Sequence, residues 1–425
     1  MKRNLTAIAL MCAVLSLTSC GANINITTES QTADAAATTA APAETVFTET
    51  TVPIETSAVT TAAAETSATT AQTTVAETAA EVKAEISPFT GNWLYSSYGA
   101  GMGIVAVAAD SSFTYTPYDG SGAKTGTVKL TDEQHPDGSK SNIYSFVFDD
   151  NTGFIGFYLP ENWNVNVLYL GQDSGEKLVR QNEVVTTDGT HITCTDSVLK
   201  EAYRMQDAWE DGDFYAVYNC NVPFFQCDAA NAAMSANIDE MNEQFRQIMI
   251  AQVREYESRN YTPEDYEETV KRVNESPMGN EQVEISYMLD FQGGLGTVFI
   301  NNYFYGGGAH GTYYTSAYAF DVSQMQLIRS LDKLSASKDE FVNFAVQYFM
   351  QNYSDQYGTA PDWTEDILRK AMTEENAWYF SDWYFTVEFP AYSFNMTYAD
   401  GPQLLQIPLN ECLPHLNAYG KELLQ

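Results

Sequence analysis

Four histidines, six cysteines and an excess of carboxylates are the chemically capable side chains of this 425-residue chain. His310 stands apart. In Asn302-Tyr303-Phe304-Tyr305-Gly306-Gly307-Gly308-Ala309-His310-Gly311 it has glycine around it, so backbone can approach a ligand closely. Tyr305, Gly307, Gly308 and His310 are therefore the candidate ligand-binding residues, and His310 is the best candidate for acid–base work. The same glycines mark backbone that needs positive φ, a turn that tolerates histidine, and this simpler account puts structure ahead of catalysis. His135, His191 and His415 are scattered without His-x-His or His-x-x-x-His spacing, so no zinc site is spelled out locally. The densest carboxylate cluster, Glu210-Asp211-Gly212-Asp213, has the residue types of a glycosidase pair but reads more simply as a solvated turn between a helix and a strand. Asp149-Asp150-Asn151 carries calcium-ligand types, yet a hairpin turn wants the same residues and no acid closes the loop. No Gly-x-Ser-x-Gly, P-loop or dinucleotide fingerprint occurs, so the sequence reads as non-catalytic, with no cofactor and no metal.

Cys20 has a different chemistry. Lys2 and Arg3 precede an apolar run, Leu5 to Leu17, too short to span a bilayer, and the run ends in Leu17-Thr18-Ser19-Cys20. That tetrad resembles the bacterial lipobox, whose cysteine takes a diacylglyceryl thioether and becomes the mature N-terminus. With further acylation of the new amine, two or more chains anchor stably. The expectation is a lipoprotein held on the extracellular face of the bacterial cytoplasmic membrane. Residues 21–85 are dominated by Thr and Ala with single glutamates and no apolar face, which predicts a disordered stalk. The remaining exported cysteines, Cys194, Cys220, Cys227 and Cys412, permit three disulfide pairings or free thiols: Cys220 and Cys227 could close a small loop around Pro223, and Cys194 and Cys412 could pin the ends of a domain. With 21 Lys+Arg against 56 Asp+Glu the net charge is −35, which argues against nucleic acid and leaves cations and basic proteins as electrostatic partners.

The elements that must position these residues fall into two modules. Residues 86–182 read as short strands at about ten-residue spacing: from Gly91, around Phe113 to Tyr115, Thr125 to Leu130, Ile143 to Phe148, Phe154 to Tyr158, Val165 to Tyr169 and Lys177 to Arg180. This predicts a small all-β barrel or sandwich, faintly similar to lipocalins in its Gly-x-Trp opening, and filled by its own side chains rather than a ligand. Residues 190–425 mix periods. Asp213 to Cys220 predicts a strand ending before Pro223; Met234, Ile238, Met241, Phe245, Met249 and Val253 share a helix face; a second helix is expected from Thr262 with Pro263 at its first position. Val283 to Phe291 alternates strictly, Gly293-Gly294 turns into Thr297 to Phe304, and Tyr313 to Asp321 follows. Helices over 339–353 and 363–372 precede aromatic strands at 378–380 and 383–389. Trp378 and Trp383 could stack on sugar rings, although their alternation makes them core residues first.

Four features of the second module, spanning about residues 195–416, carry a family resemblance. They are the helix after a Pro-containing strand, the Tyr305-Gly306-Gly307-Gly308-Ala309-His310-Gly311 turn, Tyr318-Ala319-Phe320-Asp321, and the closing Pro390-Ala391-Tyr392, Gly401 and Ile407-Pro408. The module resembles the extracellular domain of RsiV-type anti-sigma factors, which is also an accessory module in PdaC-type peptidoglycan deacetylases. The resemblance implies an α+β domain and, in the best-known member, binding of lysozyme. The sequence departs from both kinds of protein: its anchor is a lipid, it has no cytoplasmic sigma-factor-binding segment, and no deacetylase domain accompanies it. The expectation is a surface binding module for a basic protein or a cell-wall glycan, with an enzyme acting on peptidoglycan or a structural envelope lipoprotein as alternatives.

Overall fold

The structure, a computed structural model, describes residues 90–97, 100–134, 140–150, 154–159, 166–169, 176–209, 212–257, 261–276, 279–307, 310–374 and 376–424. The lipobox Cys20, the stalk over 21–85, and Gly308 lie outside the described residues. From residue 90 onward the chain is an all-β barrel followed by an α+β module.

The barrel strands are β1 (Gly91–Ser97), β2 (Ala100–Val107), β3 (Ser112–Pro117), β4 (Lys124–Gln134), β5 (Lys140–Phe148), β6 (Phe154–Leu159), β7 (Val167–Tyr169) and β8 (Glu176–Arg180). Each pairs antiparallel with the next and β8 returns to β1, so the barrel is closed. The sequence reading missed β2, because Gly101 and Gly103 interrupt its alternation; a Cβ at Gly103 would stand 2.5 Å from the Thr116 carbonyl oxygen of β3. Inward residues include Trp93, Val105, Phe113, Val128, Phe146 and Leu178, with Phe113 edge-on to Phe146 and Phe148 at 5.2 and 5.3 Å. The space left between them is about 10 Å³, roughly one water molecule. Among the described residues this interior is packed, as the small strand count predicts. The buried Arg180 guanidinium lies 4.4 Å over the Trp93 ring and bonds Glu183 at 2.8 Å.

The second module is built on a sheet containing β9 (Glu183–Val185), β10 (His191–Trp209), β11 (Gly212–Gln226), β12 (Tyr261–Pro263), β13 (Glu281–Gln292), β14 (Leu295–Tyr305), β15 (Thr312–Asp321) and β16 (Gln326–Leu327), in the order β12-β10-β11-β13-β14-β15-β16 with β9 also on β10. All pairs are antiparallel except β11 with β13. Three expectations fail here. Residues 191–209 are a strand, where a helix was expected before the carboxylate cluster, and β11 resumes at Gly212, with Glu210 and Asp211 outside the described residues; thirteen consecutive cross-strand pairs, from Thr193–Gln226 to Met205–Phe214, fix the strand conformation. β11 runs through Pro223, because β13 pairs only residues 216–220 and the missing N–H of Pro223 falls on an open edge. Tyr261 to Pro263 is an edge strand, and the helix begins later because the Asp265 carboxylate caps it, accepting from the Glu268 N–H at 2.9 Å.

Helix α1 (Ala232–Glu257) buries Met234, Ile238, Met241, Phe245 and Met249 on the inner sheet face, where Phe245 meets Tyr318 edge-on at 5.4 Å. Helix α2 (Tyr266–Glu275) packs Thr269 and Val273 beside β10 and β11. Side-chain amides close gaps in the ladder: Asn242 bonds both N–H and C=O of Phe225, and Gln181 bonds both of Leu289. Helices α3 (Lys338–Tyr357) and α4 (Glu365–Thr373) pack with a three-stranded sheet of β17 (Trp378–Ser381), β18 (Tyr384–Phe389) and β19 (Gln403–Pro408) around a second core. Helix α5 (Ala418–Leu424) buries Leu423 and Leu424 there. Trp378 is a core residue of that cluster, while Trp383 is 40 % exposed and lies 6.0 Å from Tyr169 of the barrel.

The four cysteines are free thiols. Cys220 and Cys227 cannot close a loop: β11 is extended from Cys220 to Gln226, which sets them about 20 Å apart where a disulfide needs Cα atoms within about 7 Å. Cys194 and Cys412 belong to different cores. Burial pushes the thiols of Cys194, Cys220 and Cys412 up to about 12, so they pack as small apolar side chains.

Candidate functional site

The outer face of the large sheet is divided. Near Asp290 and Gln292 it is buried by β17 and β18, where Ser381 bonds Asp290 and the Trp383 N–H reaches Gln292 at 3.1 Å. Toward Glu284 and Ser286 it opens into a groove of about 380 Å³. Strand register explains its lining. Asn219 is level with Glu284, Glu284 with Tyr303, and Tyr303 with Tyr313, and Lys200 stands opposite Asn219, so Lys200, Asn219, Glu284, Tyr303 and Tyr313 form one row across five strands. A second row, one pleat along, holds Val198, Asn221, Ser286, Asn301 and Thr315. At about 4.8 Å per strand each row spans about 19 Å. The side-chain carbonyl of Asn221 has no hydrogen-bond partner among the described residues.

At the aromatic end Tyr303 and Tyr313 stack with centroids 4.6 Å apart at 38°, and Tyr313 is 53 % exposed. The glycine-rich turn permits this arrangement in two ways. Gly307 has φ 78° and lies against Gly279, whose N–H donates to its carbonyl at 3.3 Å. Gly311 has no left-handed φ; a Cβ there would sit 2.1 Å from the Tyr303 ring, so its role is to let that ring lie down. Burial pushes Tyr303 up to about 12, with the charges of Tyr313, Glu284, Tyr398 and Tyr305 adding to it, and Tyr313 is raised by burial, Tyr398 and Glu284. Tyr305 and Tyr398 thus share the electrostatic surroundings of the stacked pair.

His310 joins the same end. Its ring stacks on Tyr398 at 4.1 Å and 22°. Nδ1 lies 3.1 Å from the Gly311 carbonyl, an obligate acceptor, so Nδ1 carries a proton, and Nε2 shares a hydrogen bond with the Tyr392 hydroxyl at 2.9 Å. Both nitrogens are engaged. Tyr392 is presented by strained backbone: Tyr392, Phe394 and Asn395 have φ of 74°, 55° and 65°, each costing about 1–3 kcal/mol. Phe394 holds the segment by packing on Trp363, Tyr357 and Phe389 at 4.6 to 5.1 Å, and its N–H donates to Asp362 at 3.0 Å. Of the sequence candidates, His310, Gly307 and Tyr305 come together at this end; Tyr303, Tyr313, Tyr392, Tyr398 and Glu284 were missed as site residues, because only nonlocal pairing brings them there. Glu388 was missed too: burial pushes its carboxyl up to about 7 against the hydrogen bonds of Thr315, which ends the second row 3.3 Å from Asn301.

Of the other histidines, His191 bonds Glu183 and His415 stacks on Phe344 at 3.9 Å, neither lining the groove, and His135 lies outside the described residues. Among the described residues no group of three or more His, Cys, Asp or Glu could hold a metal ion, and the Asp149 carboxylate accepts from the Thr125 hydroxyl of the neighbouring β4 at 2.7 Å.

Part of the chain is similar to solved structures. A DUF3298 family member from Bacteroides fragilis NCTC 9343 is similar over 54 % of this chain and 97 % of its own, at 15 % identity and a TM-score of 0.37. A DUF3298 family protein from Pseudomonas aeruginosa PAO1 is similar over 53 % of this chain and 95 % of its own, at 13 % identity and a TM-score of 0.31. No family model matches the sequence, and no curated protein is similar to it. The likeness to RsiV-type and PdaC-type modules therefore stays one of sequence motifs.

Proposed function

We propose that this is a lipoprotein anchored through Cys20 on the extracellular face of the cytoplasmic membrane, and that its α+β module binds a cell-wall glycan in the groove. The observation that carries the reading is the lining: the amides of Asn219, Asn221 and Asn301 and the hydroxyls of Ser286 and Thr315 lie in two rows, the first of which ends on the Tyr303–Tyr313 pair. Asparagine side chains offer donor and acceptor together, which suits vicinal sugar hydroxyls, and tyrosine faces suit the apolar faces of sugar rings. A span of about 19 Å accommodates several rings in a row. A purely structural envelope role would need no such lining. The excess of carboxylates favours a second reading, capture of a basic protein such as lysozyme.

Co-sedimentation of the full-length chain, purified in detergent, with insoluble peptidoglycan tests the first reading. We expect retention that survives about 0.5 M salt, where exposed charge pairs are screened, and that falls at least tenfold in Tyr313→Ala. No retention on peptidoglycan, with salt-sensitive binding to lysozyme, would move the assignment to the second reading.

A further inference from the structure

The two ends of the groove differ in charge, and the difference bears on which glycan fits. At the β10 end stands Lys200, its ammonium 5.5 Å from the Tyr266 ring. At the β15 end stand the faces and phenol oxygens of Tyr303 and Tyr313, with the Glu284 carboxylate level with Tyr303 on the next strand. Tyr398, stacked on His310, bears on the same two phenols. Every one of these groups presents negative potential to an incoming ligand. An ammonium gains there twice, from the ring faces and from the carboxylate. An N-acetylated sugar offers the carboxylate only neutral amide and hydroxyl donors, roughly half as strong as a charged one.

Resting on the reading of the groove as a glycan site, we infer that its aromatic end selects a de-N-acetylated amino sugar, seating the protonated amine between Glu284 and the Tyr303–Tyr313 pair. The amides of Asn219, Asn221 and Asn301 then take hydroxyls of the neighbouring sugars. Lys200 repels a second ammonium at the far end, which fixes the direction of the chain in the groove. Glu284 acts by charge and the tyrosines by both charge and contact, so their substitutions separate.

The test is calorimetric titration of the full-length chain in detergent with chitotetraose, its fully de-N-acetylated counterpart, and tetralysine. The wild type should prefer the de-N-acetylated tetramer to chitotetraose by about tenfold or more. Glu284→Gln should bring the two within about twofold by weakening only the de-N-acetylated one, and Tyr303→Ala should weaken both. Tetralysine should bind at least tenfold more weakly than the de-N-acetylated tetramer. Equal wild-type affinities for the two sugars, or a preference that survives Glu284→Gln, overturn the amine selection and leave the glycan reading standing. Tetralysine as tight as the amino sugar transfers the site to protein side chains and overturns the inference. Binding of neither sugar overturns both readings.

Discussion

Lys177→Met tests how the barrel is joined to the module that carries the groove. Lys177 projects from β8, and its ammonium lies 2.7 and 2.8 Å from the two oxygens of Asp290 on β13 and 2.6 Å from Asp382 in the β17–β18 turn. The Lys177 and Asp290 side chains are 3 % and 6 % exposed, Asp382 31 %. Burial alone would pull the amine down; Asp290 and Asp382 outweigh it and hold it charged, above its ordinary value. Removing the cation leaves two carboxylates facing each other, Asp290 buried and Asp382 partly exposed. Loss of one partner of a buried ion pair costs about 3–5 kcal/mol. The partly exposed Asp382, already raised by burial and by Asp290, takes up a proton and keeps the total near that range. We therefore expect about 4 kcal/mol less stability at pH 7, read by urea unfolding. The deficit should shrink below about pH 4, where the carboxylates are protonated. Lys177→Met/Asp290→Asn/Asp382→Asn should recover more than half of it. A single variant within about 0.5 kcal/mol of wild type, or a neutral triple variant no better than the single, would refute the reasoning.

Glu388→Gln should remove a pH slope. The folded carboxyl titrates at about 7 against an ordinary 4.5, so its contribution is complete below about pH 4.5 and is lost as pH rises through 7, by about 3 kcal/mol. Urea unfolding should show the variant gaining on wild type between pH 4.5 and 8.5, and parallel curves would contradict the assignment. Gly311→Ala should displace the Tyr303 ring, costing about 1–3 kcal/mol of stability and about tenfold in glycan affinity; unchanged affinity would detach the turn from the groove. Thiol labelling of the native chain, resolved by peptide mass, should reach half-buried Cys227 first and Cys194, Cys220 and Cys412 only on unfolding. Early labelling of Cys412 would contradict its place in the second core.

What the sequence disclosed was what short-range physics governs. The face of α1, the alternation of β13 and the residues of the glycine-rich turn were legible because period and turn chemistry are local. β10 was not, since its Leu199 to Met205 stretch takes its conformation from partners on β11 across a hairpin. The groove was less legible still. Lys200, Asn219, Glu284, Tyr303 and Tyr313 share a row only through one parallel and three antiparallel registers, and a slip of one residue in any of them would turn a row to the other face. His310 drew notice for its glycines, but its partners Tyr392 and Tyr398 lie beyond two α-helices and four strands. The glycines themselves had two different reasons, a left-handed φ at Gly307 and the covering ring at Gly311, that composition alone does not separate.

The central claim is that the groove, rather than the acidic surface at large, holds a glycan. Isothermal titration of the full-length chain with a soluble tetrasaccharide released from peptidoglycan, for wild type and for Tyr303→Ala/Tyr313→Ala, tests it most directly. The account predicts saturable binding by the wild type at both low and high salt, lost by at least tenfold in the double variant while its thermal unfolding stays close to wild type. Equal binding by the two proteins would contradict it.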